Sequence, residues 1–169
     1  LIKSVKLGNT FLRRGYAKQK LGILDVLVEL NNNTKINIEI QLKFCKNWDK
    51  RQVFYLSKMF TSNLFAGEKY ERLKRCVSVA ILDYNTSDDS SYHHIYRLRD
   101  ETGKEFTDII EIHIIELKKE LTGSRIDDWI RLFNAESEED LDMIKTNNIG
   151  VREAIYEVKR MSLIGKLKF

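Results

Sequence analysis

Proline is absent from these 169 residues, so no fixed-φ residue ends a helix or shapes a turn, and glycine and asparagine must punctuate the chain instead. Cysteine occurs twice, at Cys45 and Cys76, too few and too far apart for a disulfide or metal framework. Both read as reduced thiols of a cytosolic protein. The three histidines, His93, His94 and His113, do not space as a metal site, because neighbours on a strand face opposite ways and His113 stands alone in sequence. All three read as structural. Apolar runs stay far below the ~20 residues of a membrane span, and no signal-peptide pattern is present. That excludes a membrane partner on the sequence's own terms.

The excess of one sign of charge is also small. Twenty-nine Lys and Arg against twenty-five Asp and Glu give +4, only mildly basic, yet the distribution is uneven. Residues 1–20 carry Lys3, Lys6, Arg13, Arg14, Lys18 and Lys20 and no acid, whereas residues 127–142 carry seven acids against Arg131. A basic arm suits salt-dependent, sequence-independent attraction to a phosphate backbone. A merely solvated terminus explains it as well.

What is present most distinctly is Leu21 to Leu42, LGILDVLVELNNNTKINIEIQL. Leu24, Val26, Val28 and Leu30 alternate with Ile23, Asp25, Leu27 and Glu29. After the asparagines, Ile36, Ile38, Ile40 and Leu42 alternate with Asn37, Glu39, Gln41 and Lys43. Period two marks two strands. Aligning both apolar sets on one face requires cross-strand numbers with an even sum, which rules out a two-residue turn. Leu30 then pairs Thr34 across Asn31-Asn32-Asn33, with asparagine in the left-handed position such loops contain. Asp25 falls opposite Glu39. Two carboxylates ~5 Å apart at Cβ repel, and a divalent cation between them reverses the sign, since hard cations take carboxylate, water and phosphate oxygens. The bland competitor is a pair of solvated acids on the wet face of a hairpin.

Gly22-Ile23-Leu24-Asp25-Val26, the turn, and Ile38-Glu39-Ile40-Gln41 resemble the core of the PD-(D/E)XK nucleases, in particular the bacterial recombination-promoting nuclease and transposase family. The likeness extends through Arg51 and Tyr55, the Cys76–Tyr84 segment, Trp129 and Glu153-Ala154. The resemblance implies a Mg²⁺-dependent DNA endonuclease of recombination or transposition, with Mn²⁺ as a substitute. Asp25, Glu39 and the backbone carbonyl of Ile40 would be metal ligands. Asp25, Glu39 and Gln41 would form the catalytic set, and double-stranded DNA would be the partner. Gln41 stands where the superfamily name has lysine; a neutral amide orients water but brings no positive charge, so a modest rate is expected unless Lys43 or Lys46 helps. Arg51 and Tyr55, with Arg13, Arg14, Lys18, Lys20 and Lys43, would hold the DNA backbone. Cytoplasmic, nucleoid-associated work and a homodimer option follow from the same likeness. So does the expectation of helices ahead of Leu1. The rival is a decayed DNA-binding or interaction module of a mobile element.

The expected fold is α/β or α+β: a restriction-endonuclease-like core over 1–122 with a mixed sheet of about five strands flanked by helices, then a helical extension over 123–169. Residues 1–20 read as a short strand or extended arm. Asn47 is expected to cap a helix over about Trp48–Phe65 with Val53, Leu56, Phe60 and Leu64 as its core stripe and Gly67 as a stop. Cys76–Leu82 reads as a strand buried on both faces. Tyr92–Arg99 and Ile109–Leu117 alternate about a Glu101-Thr102-Gly103 turn. Helices follow near Arg125–Asn134 and Glu138–Lys145, each behind a capping serine, and a third opens at Asn148.

Overall fold

A computed structural model describes residues 1–12, 22–62 and 64–166. Among the described residues six strands form one mixed sheet in the order β1-β2-β3-β4-β6-β5. They are β1 (Ile2–Leu12), β2 (Gly22–Leu30), β3 (Lys35–Gln41), β4 (Cys76–Leu82), β5 (His93–Arg99) and β6 (Glu105–Glu116), with α1 (Trp48–Thr61) between β3 and β4. The first three strands meander antiparallel, while β4 runs parallel to both β3 and β6. Parallel neighbours need a crossover, and α1 supplies the one between β3 and β4. The strand beyond the expected five is β1, the start of the basic arm: its first residues are strand rather than loose chain, and Lys3 Nζ lies 2.9 Å from Glu29 Oε1. Arg13, Arg14, Lys18 and Lys20 fall outside the described residues.

The β2–β3 hairpin has the expected register. Val26 pairs Ile38 and Val28 pairs Ile36, Leu30 N–H donates to Thr34 O at 2.9 Å, and Asn33 takes the left-handed φ of 63°. Asparagine tolerates that conformation because its short side chain bonds locally.

The faces are reversed from a simple hairpin. Helix α1 lies over Asn37 and Glu39, which are 2% and 3% exposed, while Ile40 on the other face is 46% exposed. Alternation identifies which residues share a face, and burial then depends on what covers that face. The buried stripe of α1 is Trp48, Gln52, Leu56 and Met59, so Leu56 belongs to it as expected but Val53 does not, at 55% exposure. Val53 borders a cavity of about 550 Å³ with Trp48 and Tyr96. Asn47 precedes the helix in a left-handed conformation without a side-chain cap, and the helix closes at Ser62 rather than running to Phe65 and Gly67. Ser62 Oγ donates to the carbonyl of Met59 at 2.8 Å.

Strand β4 is buried on both faces, with Ala80 and Leu82 0% exposed on one and Ile81 7% and Val77 8% exposed on the other. Burial raises the Cys76 thiol to about 11 despite Lys35 nearby, so it is chemically quiet. Leu56, Met59 and Cys76 form one core cluster against Leu27 and Ile112; Trp48, Ala80, Leu82 and Ile114 form a second.

On the face away from α1, His113 is not alone. Its Nδ1 sits 2.9 Å from Nε2 of His93, with the rings stacked at 5.1 Å, because the β5–β6 register sets His93 against Ile115 and Ile95 against His113. Glu111, 4% exposed, joins His113 to Arg97, and Arg75 Nη2 lies 3.2 Å away. No group of three or more metal-ligating side chains occurs among the described residues. Burial, then the charges of His113 and His94, hold His93 below its ordinary 6.5. Burial alone would raise Glu111, but Arg97 and His113 bring it below 4.5. Both shifts have one sign: a group depressed on folding stabilises above its unfolded pKa and loses that contribution as pH falls. Thermal stability is therefore expected to decline below pH 6.5 through His93 and again below pH 4.5 through Glu111. A melting series in which His93→Gln shows the same slope as wild type between pH 6.5 and 5 would refute the first step.

The chain divides into two compact units, Leu1–Lys119 and Glu120–Phe169. The second holds α2 (Asp127–Asn134), α3 (Glu138–Met143) and α4 (Ile149–Lys166). Ser137 makes the expected capping box with Asp140, and Asn148 Oδ1 accepts from Val151 N–H at 3.3 Å. Helix α2 starts two residues later than expected; Ser124 Oγ accepts from Ile126 N–H at 3.3 Å, and Asp127 also ties the entry, accepting from Gly123 N–H at 2.7 Å. Among the described residues no helix is long and apolar enough to cross a membrane.

Candidate active site

Glu39 sits in the middle of the sheet beneath α1, where a bare carboxylate would be costly. Two side chains from successive residues of the helix meet it. Arg51 Nη2 lies 2.6 Å from Oε1, and Gln52 Nε2 donates to Oε2 at 2.8 Å. Gln52 in turn accepts from Ser78 Oγ at 2.8 Å. A carboxylate has about four acceptor positions, so each oxygen keeps capacity for a further partner.

Asp25 is exposed. It lies one residue beyond the last registered pair, Val26–Ile38, where the β2–β3 ladder ends; the same register carried one pair further would set it against Glu39. Gln41 O accepts from Asp83 N–H at 3.0 Å on the β4 side. Carbonyls alternate along a strand, so that of Ile40 turns toward β2, past the end of the β2–β3 ladder. Two carboxylates and a carbonyl are the hard oxygen donors a divalent cation takes. The residues present fit such an ion, with Glu39 already oriented by partners behind it.

Gln41 shares this face, but its Nε2 donates to Lys43 O at 2.9 Å. Lys43 is exposed. Arg51 and Tyr55, one turn apart, do converge: the guanidinium stands 5.4 Å from the ring centroid. Burial would lower the Arg51 pKa; Glu39 and Tyr55 outweigh it and raise it. Arg51 is thus first a counter-ion of Glu39, with a side chain 36% exposed through which a phosphate can still be reached.

Gln52, Ser78 and Tyr84 were invisible as site residues. Gln52 sits where apolar spacing expects a hydrophobe, and its partner lies thirteen residues away. The hydroxyl of Tyr84 is buried without a hydrogen-bond partner in the structure. Burial first, then Cys45 and Glu39, raise that phenol, and Arg51 opposes them. Its ring meets Phe44 edge-on at 5.8 Å.

A mixed six-stranded sheet flanked by helices, with an aspartate on one strand and Glu-x-Gln on its neighbour where the superfamily name has lysine last, is consistent with the PD-(D/E)XK fold. The chain belongs to the PD-(D/E)XK nuclease family transposases, whose family model matches residues 1–168. Membership gives it a nuclease or transposase-related role with DNA as the implied substrate, and nucleases of this kind generally use divalent metals. No curated protein and no solved structure matches the chain.

Proposed function

We propose that this protein is a Mg²⁺-dependent DNA endonuclease that hydrolyses phosphodiesters in double-stranded DNA during recombination or transposition of a bacterial mobile element. The observation carrying the reading is Glu39: a carboxylate buried at the centre of the fold, ion-paired with Arg51 at one oxygen and hydrogen-bonded by Gln52 at the other, and one pair past the end of a register that, continued, would oppose it to Asp25. A purely structural sheet gains nothing from that opposition.

Asp25, Glu39 and the Ile40 carbonyl would hold the ion; when bound, it supplies Lewis-acid polarisation and a water of lowered pKa. Gln41 would orient the attacking water through its amide once it leaves the Lys43 carbonyl. Arg51 faces the phosphate while balancing Glu39, and Tyr55 offers a phenol beside it. Lys43 and the basic arm with Arg13, Arg14, Lys18 and Lys20 would neutralise the flanking backbone, which makes binding salt-dependent. With glutamine in place of lysine, turnover is expected to be slow.

Incubating supercoiled plasmid with the protein tests the reading. Relaxation or linearisation is expected with Mg²⁺ and none with excess EDTA. Equal products in both, or no product at any Mg²⁺ or Mn²⁺ concentration while the DNA is retained, would leave a binding module instead.

A further inference from the structure

We infer that Gln52, backed by Ser78, is the positioning residue that fixes the Glu39 carboxylate for metal binding. The inference rests on the nuclease reading above and names a part of that site which the strand motif lacks.

The relay has only one direction. An ionised carboxylate can only accept, so Gln52 must present its NH₂ to Glu39 Oε2, at 2.8 Å. Its carbonyl then faces inward and needs a donor. Ser78 provides the single hydroxyl proton, at 2.8 Å. Asn37 pairs Ser78 in the β3–β4 register, and its buried Oδ1 has no hydrogen-bond partner in the structure; the serine proton goes to Gln52, not to this strand neighbour. Gln52 is 1% and Ser78 0% exposed. Nothing in the packing of α1 on β4 calls for polar atoms there, since the other inward residues of the helix are Trp48, Leu56 and Met59.

Arg51 and Gln52 divide the work on Glu39. The guanidinium at Oε1 is a partly exposed group on a long, flexible stem, and it supplies charge. The amide at Oε2 is fully enclosed and tied at both ends, and it supplies orientation. Outer partners of this kind aim a ligand at its metal.

Mn²⁺ binding to the DNA-free full chain, followed by electron paramagnetic resonance, separates orientation from packing. Wild type, Asp25→Ala, Ser78→Ala, Gln52→Met and the double variant Gln52→Met/Ser78→Ala are compared, each with a thermal melt. The double variant removes both polar partners together and so leaves no orphan between them. Glu39 Oε2 loses its donor in it, so it is expected to melt modestly below wild type, in one cooperative transition, and to bind Mn²⁺ about 10- to 100-fold more weakly. Gln52→Met alone is expected to lose as much affinity. Ser78→Ala, which leaves the amide in place but untethered, should lose a smaller part, and this variant carries the test should the others fold poorly. Wild-type affinity in a double variant that melts cooperatively would make Gln52 a packing residue and overturn the inference alone. A wild-type protein without any Mn²⁺ signal that Asp25→Ala removes would overturn both this inference and the nuclease reading.

Discussion

Replacing Asp25 with alanine is expected to abolish metal-dependent plasmid cleavage and leave the melting temperature unchanged, whereas Glu39→Ala should remove both activity and stability. The two acids are chemically alike and lie on neighbouring strands, but their surroundings differ. Asp25 is exposed, and among the described residues no side chain partners it, so folding loses nothing when its carboxylate goes. Glu39 is 3% exposed and satisfies Arg51 and Gln52. Its truncation strands a buried amide and a half-buried cation, each worth about 1–3 kcal/mol. For catalysis the loss is the same in kind. A bound cation contributes several kcal/mol of transition-state charge stabilisation, and at ~1.4 kcal/mol per tenfold this is about a thousandfold in rate. Glu39→Gln refines the comparison: an amide keeps an acceptor for one partner, so it should recover part of the stability and none of the cleavage. Plasmid assays and thermal melts on the three variants check this. Cleavage by Asp25→Ala within tenfold of wild type would remove the metal pair from the mechanism.

Local rules reached some of this arrangement and stopped short of the rest for identifiable reasons. The hairpin register needed only the parity of two alternating strands and one asparagine tolerant of φ 63°, all within twenty residues. The doubly buried β4 was legible as an apolar run too short for a helix. By contrast, the face of α1 was misassigned because Gln52 is a polar residue made cheap to bury by Glu39 and Ser78, which lie 13 and 26 positions away. Apolar periodicity has no means of counting such a residue. Placing Val53 in the stripe rotated the helix by about one residue. His93 and His113 failed in the same manner: they are twenty positions apart and meet only through the β5–β6 register. The two acids could be proposed as a pair because they lie inside one hairpin. Their support was missed because it lies across the fold.

Glu116 shows the same principle at its largest energetic scale, and Glu116→Ala is expected to be among the most destabilising single substitutions in the chain. At the end of β6 its side chain is 0% exposed, yet it touches no part of the candidate active site. Lys119 Nζ lies 2.5 Å from Oε2. Thr86 donates to Oε1 through both its hydroxyl, at 2.5 Å, and its backbone N–H. The Glu116 N–H also donates to Tyr92 O at 2.8 Å, so one residue ties both ends of the β4–β5 loop to the sheet. Burial opposes ionisation, but Lys119 and Thr86 together hold the carboxyl below its ordinary 4.5. Removing one partner of a buried pair typically costs about 3–5 kcal/mol, because the other charge is left without compensation. With ~2–4 °C per kcal/mol for a chain of this size, the melting temperature should fall by about 10 °C. Glu116→Gln keeps an acceptor for Thr86 and should lose less. The depressed pKa adds a second signature: the wild-type advantage is present above pH 4.5 and shrinks as pH drops further, so the melting curves of wild type and Glu116→Ala should converge in acid. A difference under ~1 kcal/mol at pH 7, or one that persists unchanged to pH 3, would mean that Lys119 finds enough in Asp89, 3.5 Å away, and that the loop is anchored without the carboxylate.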